Sequence, residues 1–233
     1  MKGWLAWVVL AALGLVISGC GPLDPIRAVE RGIAGYAARR FGPADRYKVR
    51  IGSAGTNLRR GVIGSLVIEG HRVHTKAGLV VNWCRVELRD VHFERKSRSI
   101  TSVGESSVIA EVLEEDANAY LGARPDGYRR MKVELIGDGE MAVVVEPRLI
   151  GVPVTVRLEG RPEVRNGSEV AFVPDALRVA KLSVPRSLLA IVERRINPVL
   201  RVEELGVPVV LGDVRVEQGR IVAVGTADVN ALN

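Results

Sequence analysis

From residue 46 to the end of the chain, apolar and polar positions alternate with a period of two, and only short stretches break that rhythm. A period of two marks a strand with one face buried. RYKVRIG at 46–52 sets Tyr47, Val49 and Ile51 on one side. GVIGSLVIEG (61–70), AGLVVNWCRVELRDVHFE (77–94) and SITSVGESSVIAEVL (99–113) follow as strands rich in Val and Ile. The pattern resumes in YRRMKVELIG (128–137), EMAVVVEPRLIG (140–151), VPVTVRLEG (152–160) and EVAFVPDALRVAKLSV (169–184). It closes with VPVVLGDVRVEQGRIVAVGTADV at 207–229. Asp138-Gly139, Asn166-Gly167 and Gln218-Gly219 supply the hairpin turns.

Three segments carry a helical period instead. In DPIRAVERGIAGYAARRFG (24–42), Asp24 is an N-cap and Pro25 sits in the first turn. Ile26, Val29, Ile33, Tyr36, Ala37 and Phe41 fall on one face, and Gly42-Pro43 ends the helix. EEDANAYLGAR (114–124) is a short helix. PRSLLAIVERRIN (185–197) is amphipathic through Leu188, Leu189, Val192 and Ile196, and Asn197-Pro198 stops it. The expected fold is α+β: a strongly curved antiparallel sheet wrapped around one or two amphipathic helices. GVIGSLVIEG and GVPVTVRLEG (151–160) share their first and last pairs of residues, so two related halves are a further expectation.

The N-terminus changes this picture. In MKGWLAWVVLAALGLVISGC, Lys2 is the only charge before Cys20. A basic start followed by a short apolar run reads as an export signal. No Ala-x-Ala cleavage site is present, and Ile17-Ser18-Gly19-Cys20 resembles a bacterial lipobox, in which the cysteine sulfur receives a diacylglycerol. Residues 1–19 are therefore expected to be a lipoprotein signal peptide, and 20–233 a single domain on the extracytoplasmic face of the cell membrane, lipid-anchored through Cys20. Two acyl chains give stable attachment where one does not.

Charge and candidate chemistry sharpen the expectation. Residues 20–50 hold seven basic side chains (Arg27, Arg31, Arg39, Arg40, Arg46, Lys48, Arg50) against Asp24, Glu30 and Asp45. That excess beside the anchor suits a membrane surface with anionic head groups. Nucleic acid is a poor partner for an exported chain. Cys84 lies in an apolar strand pattern and reads as a small buried hydrophobe, with no second thiol after Cys20 to make an internal disulfide. His71 and His74, three apart in an extended segment, are expected on opposite faces, and His92 is expected to turn away from Val91 and Phe93. Gly52-Ser53-Ala54-Gly55-Thr56 lacks the Lys-Ser/Thr of a phosphate loop. Glu114, Glu115 and Asp116 suit a helix N-terminus, and Asn166-Gly167-Ser168 reads as a turn before it reads as a glycosylation sequon. No zinc, nucleophile-elbow or dithiol motif appears. The expectation is a non-enzyme with no metal and no cofactor.

The ordered set GVIGSLVIEGHRV, GLVVNWCRVELRDVHFE, VIAEVLEEDANAYL and the long stretch LIGVPVTVRLEG through INPVLRVEELGVPVVLGDVRVEQGRIVAVG resembles the LmeA-like phospholipid-binding family from about residue 24 to 228. The resemblance implies a tubular lipid-binding-like fold and phospholipid acyl chains as ligand. On that footing the candidate lipid-binding residues are Leu188, Leu189, Val192 and Ile196, with Ile26, Val29 and Ile33 as a second wall. The expected role is lipid transport or envelope maintenance. A non-catalytic envelope scaffold and an accessory factor in lipid-linked glycan assembly are the alternatives.

Overall fold

A computed structural model of the chain describes residues 25–94, 99–124, 131–145, 148–149, 152–153, 155–179, 182–183 and 197–228. Helix α1 (Pro25–Phe41) leads into β1 (Arg46–Gly52), a short 3-10 turn (Leu58–Arg60), β2 (Val62–His74), β3 (Val80–Glu94), β4 (Ser99–Ser102) and β5 (Glu105–Leu113). The segment 99–113 is broken at Val103-Gly104, where the Gly104 amide donates to the Arg89 and Asp90 carbonyls. Helix α2 (Glu114–Ala123) follows β5 without a loop. The second half holds β6 (Met131–Gly137), β7 (Glu140–Val145), β8 (Arg148–Leu149), β9 (Val152–Pro153), β10 (Val156–Arg165), β11 (Glu169–Val179) and β12 (Leu182–Ser183). Then come β13 (Leu200–Arg201), a single helical turn α3 (Val202–Leu205), β14 (Val209–Glu217) and β15 (Arg220–Ala227).

All strand pairings among the described residues are antiparallel. The large sheet runs β1-β2-β3-β5-β15-β14, with β4 on β3, and curls into a half-barrel. The second sheet runs β12-β11-β10-β7-β6. The α+β fold with a strongly curved antiparallel sheet is thus the observed one. The two sequence segments with matching ends fall in β2 and in β9–β10; β2 lies between β1 and β3, and β10 between β7 and β11.

Two of the three predicted turns form as left-handed pairs, and at Gln218-Gly219 only the glycine is left-handed. Asp138 and Gly139 have φ of 53° and 84°, as a two-residue hairpin of the type I′ kind demands, and Asn166 and Gly167 have φ of 53° and 65° in a three-residue connection between Arg165 and Glu169. Both turns then join the sheets. The Gly139 amide donates to the Val216 carbonyl at 3.0 Å, and the Leu211 amide to the Gly167 carbonyl at 2.7 Å. Edge strand β14 therefore spends part of its free hydrogen-bonding edge on the second sheet.

The other edges are closed by side chains, because unpaired strand amides cost free energy when they leave water. Glu30 of α1 accepts the Ile51 amide of β1 at 2.8 Å. On β6, Glu114 accepts the Leu135 amide, and Asn118 one turn later both accepts from and donates to the Val133 backbone at 2.7 and 2.8 Å. Asn197 makes the same two-way contact with Phe172 of β11 at 2.7 Å each way. Asp116 is buried and held bidentately by Arg72 of β2 at 2.5 and 2.9 Å. The acids at the start of α2 therefore do more than meet the helix dipole: they lock α2 to β2 and β6.

Candidate functional site

The inner face of the large sheet is the side that α1 covers. Near the Ile51 end of β1 it is filled by large side chains. Val29, Ile33, Val49, Ile51, Ile63, Leu66, Leu88, Val91, Phe93 and Ile100 form one buried cluster, with Ile26 and Leu58 packed at its margin. A second buried cluster, from Leu121 through Leu135, Leu158 and Phe172 to Val216, joins α2 and the second sheet to β14.

Between these clusters the inner face changes character. Strand register lines up Tyr47, Gly70, Cys84, Ala110, Ala223 and Val214 across six neighbouring strands. The four central positions are Gly, Cys, Ala and Ala. At a strand spacing of about 4.8 Å the three not covered by Tyr47, Cys84, Ala110 and Ala223, make a floor about 10 Å wide with almost no side-chain height. Val49, Ile68, Val86 and Val108 stand along one side of the floor in the adjacent row, and Val112, Ile221 and Val216 stand along the other. Cys84, Ala110 and Ala223 are half-buried, as are Ile68, Val86, Val112 and Ile221 beside them, whereas Val49, Val108 and Val216 at the margins are buried. The result is an apolar trough across the curled sheet.

The trough closes tightly at the β1 end. A Cβ built on Gly70 would lie 2.7 Å from Val73 Cγ2, 3.0 Å from Cys84 Sγ and 3.1 Å from Tyr47 Cε1. Only glycine lets the Tyr47 ring lie over β2 beside the thiol. The Tyr47 hydroxyl donates to the Gly42 carbonyl at 3.0 Å. Burial pushes its pKa up to about 12, with the nearby Cys84 adding to the rise. Burial also raises the Cys84 thiol, which keeps it protonated and unreactive at neutral pH. The charges on the trough's strands lie on the opposite, outer face. There Arg85 pairs with Glu69 and Glu87, and Arg220 with Glu111 and Glu217. A surface of this kind holds hydrocarbon by area burial, about 25 cal/mol per Å², and offers it no polar partner to satisfy.

The predicted wall residues divide. Val29 and Ile33 lie inside the first cluster at 0% and 3% exposure, and Ile26 packs at its margin. Leu188, Leu189, Val192 and Ile196, like Cys20, lie outside the described residues. The floor residues Gly70, Cys84, Ala110 and Ala223 were not legible as a set, because they come from four strands and only register brings them into one row.

The histidines correct one expectation. Arg72 has a φ of 51°, a left-handed residue inside β2 that interrupts the alternation. Val73 thereby comes to the inner face beside Gly70, and His71 and His74 both turn to the outer face instead of opposite ones. Among the described residues no group of three His, Cys, Asp or Glu converges in a way that would hold a metal ion. His92 is exposed between buried Val91 and Phe93.

The sequence profile of the LmeA-like phospholipid-binding family matches residues 27–226. No curated protein and no solved structure matches the chain. The profile covers nearly all of the described residues, and the chain belongs to the LmeA-like phospholipid-binding family.

Proposed function

We propose that this family member is a membrane-tethered extracytoplasmic lipoprotein that carries phospholipid acyl chains in the trough over Gly70, Cys84, Ala110 and Ala223. The single observation that carries the reading is that floor: a row of minimal side chains, half-buried at Cys84, Ala110 and Ala223, set between two buried clusters in a member of a phospholipid-binding family. The tether is a diacylglycerol on Cys20 after removal of residues 1–19, and 20–233 act as one domain. The role is lipid transport or envelope maintenance at the outer leaflet side of the cell membrane, without catalysis. The Arg-rich α1 lies near anionic head groups. No helix among the described residues is long and apolar enough to cross a membrane.

The test is to express residues 21–233 without the anchor, purify them gently, and combine native mass spectrometry with lipid extraction. Stoichiometric phospholipid is the expected result, and it would name the head group. A clean apo mass that takes up no added phospholipid would overturn the reading and leave a tethered envelope scaffold as the better account.

A further inference from the structure

Among the described residues the cations differ in whether they meet a carboxylate. On the central and distal strands Arg85 faces Glu69 and Glu87, Arg157 faces Glu134 and Glu159, and Arg220 faces Glu111 and Glu217, whereas Lys132 on β6 stands exposed without an ion pair among the described residues. Lys48 and Arg50 on β1, and Arg59 and Arg60 in the 3-10 turn, are exposed and have no ion-pair partner among the described residues. The acids nearest them in register, Glu69 and Glu87, are drawn to Arg85.

These unpaired cations gather at one end of the molecule. Glu30, in the first half of α1, accepts the Ile51 amide, so the start of α1 lies beside the Arg50–Gly52 end of β1. Ile26 and Leu58 pack on the same cluster, which brings the 3-10 turn with Arg59 and Arg60 to that end as well. It is the end at which the chain enters α1 from Cys20. The residues from Cys20 to Pro25 reach at most about 18 Å even when fully extended. A lipid on Cys20 would therefore leave this face within reach of head groups.

We infer that the face formed by Lys48, Arg50, Arg59 and Arg60 docks on an anionic phospholipid bilayer, and fixes the orientation in which the tethered protein presents its trough. This rests on the proposed tethered reading and adds the docking face and its lipid class. Positive charge on an edge strand also serves to repel a second strand, and that role alone would leave these side chains indifferent to lipid charge.

The experiment uses the full chain in nanodiscs of phosphatidylcholine alone, or of phosphatidylcholine with phosphatidylglycerol. The N-terminal segment attaches the protein to both, so only head-group contact differs. An amine-acylating reagent is applied, and the labelling rate of Lys48 is followed by peptide mass spectrometry, with exposed Lys132 on β6 as internal reference. Docking makes Lys48 label about fivefold slower, or more, on the anionic discs, with Lys132 unchanged. About 0.5 M salt removes the difference, and so does the R50Q/R59Q/R60Q variant, which keeps the reporter. Equal Lys48 rates on the two discs would overturn the inference, as would protection that survives the salt or the triple substitution. The salt arm uses the wild-type chain and stands even where the variant folds poorly. Native mass spectrometry of the same samples separates the two readings. Phospholipid-loaded protein with unprotected Lys48 sinks the docking face alone, and apo protein with protected Lys48 sinks the trough alone.

Discussion

Two regions of one sheet face, sharing strands β2 and β3, are filled in opposite ways. At the α1 end, Ile63, Leu66, Leu88, Val91 and Phe93 meet Val29 and Ile33 and shut out water. Further along β2 and β3 and on across β5 and β15, Gly70, Cys84, Ala110 and Ala223 leave the face low, the last three of them half-buried. Hydrophobicity is similar in both places and side-chain volume is not. Burial of apolar surface thus builds a solid core where volumes match and an open trough where they do not. The helix that makes the core solid also caps the β1 edge through Glu30, so one element closes both the packing and the hydrogen bonding at that end.

The comparison breaks most sharply at Ile63, which is 1% exposed. Ile63→Ala should cost about 3 kcal/mol in urea unfolding while leaving the phospholipid carried per folded molecule unchanged. Loss of lipid from the folded variant would mean that the cluster, too, is part of the binding surface. Next is Arg72→Ala, which strips the bidentate partner from buried Asp116. A loss of about 2 kcal/mol is expected, again read by denaturant. The opposite operation fills the floor. Ala110→Leu with Ala223→Leu should lower co-purifying phospholipid about tenfold, a change of about 1.4 kcal/mol, with the unfolding midpoint nearly unmoved. An unfolding midpoint that falls with the lipid would show that the row is ordinary packed core.

The smallest effect concerns pH. The Tyr47 pKa is raised from 10.0 to about 12 by burial. A raised folded-state value means the contribution is complete below pH 10.0 and is lost as pH rises through about 12. Tyr47→Phe should flatten the alkaline fall in stability across that window, at a cost near neutrality of about 1 kcal/mol for the hydrogen bond to the Gly42 carbonyl. Alkaline denaturation followed by circular dichroism measures it, and an unchanged alkaline slope would show that the ring is not desolvated at the trough's end.

Much of the architecture is written locally in the chain. Alternation in RYKVRIG and AGLVVNWCRVELRDVHFE, helical spacing in PIRAVERGIAGYAARRF, and the Asp138-Gly139 and Asn166-Gly167 turns each follow from a few neighbouring residues, and each forms as expected. The family, too, is legible in the order of those strands. What tertiary structure decided is which positions meet. A glycine, a cysteine and two alanines from four strands have no local signal that they share a row, since register depends on every pairing between β2 and β15 at once. The same holds for Arg72, whose left-handed backbone moves His74 to the face of His71, and for Asp116, whose partner lies 44 residues away in sequence. Period and turn chemistry are local properties of the chain, whereas the volume left open on a sheet face is set by residues far apart that only the fold brings together.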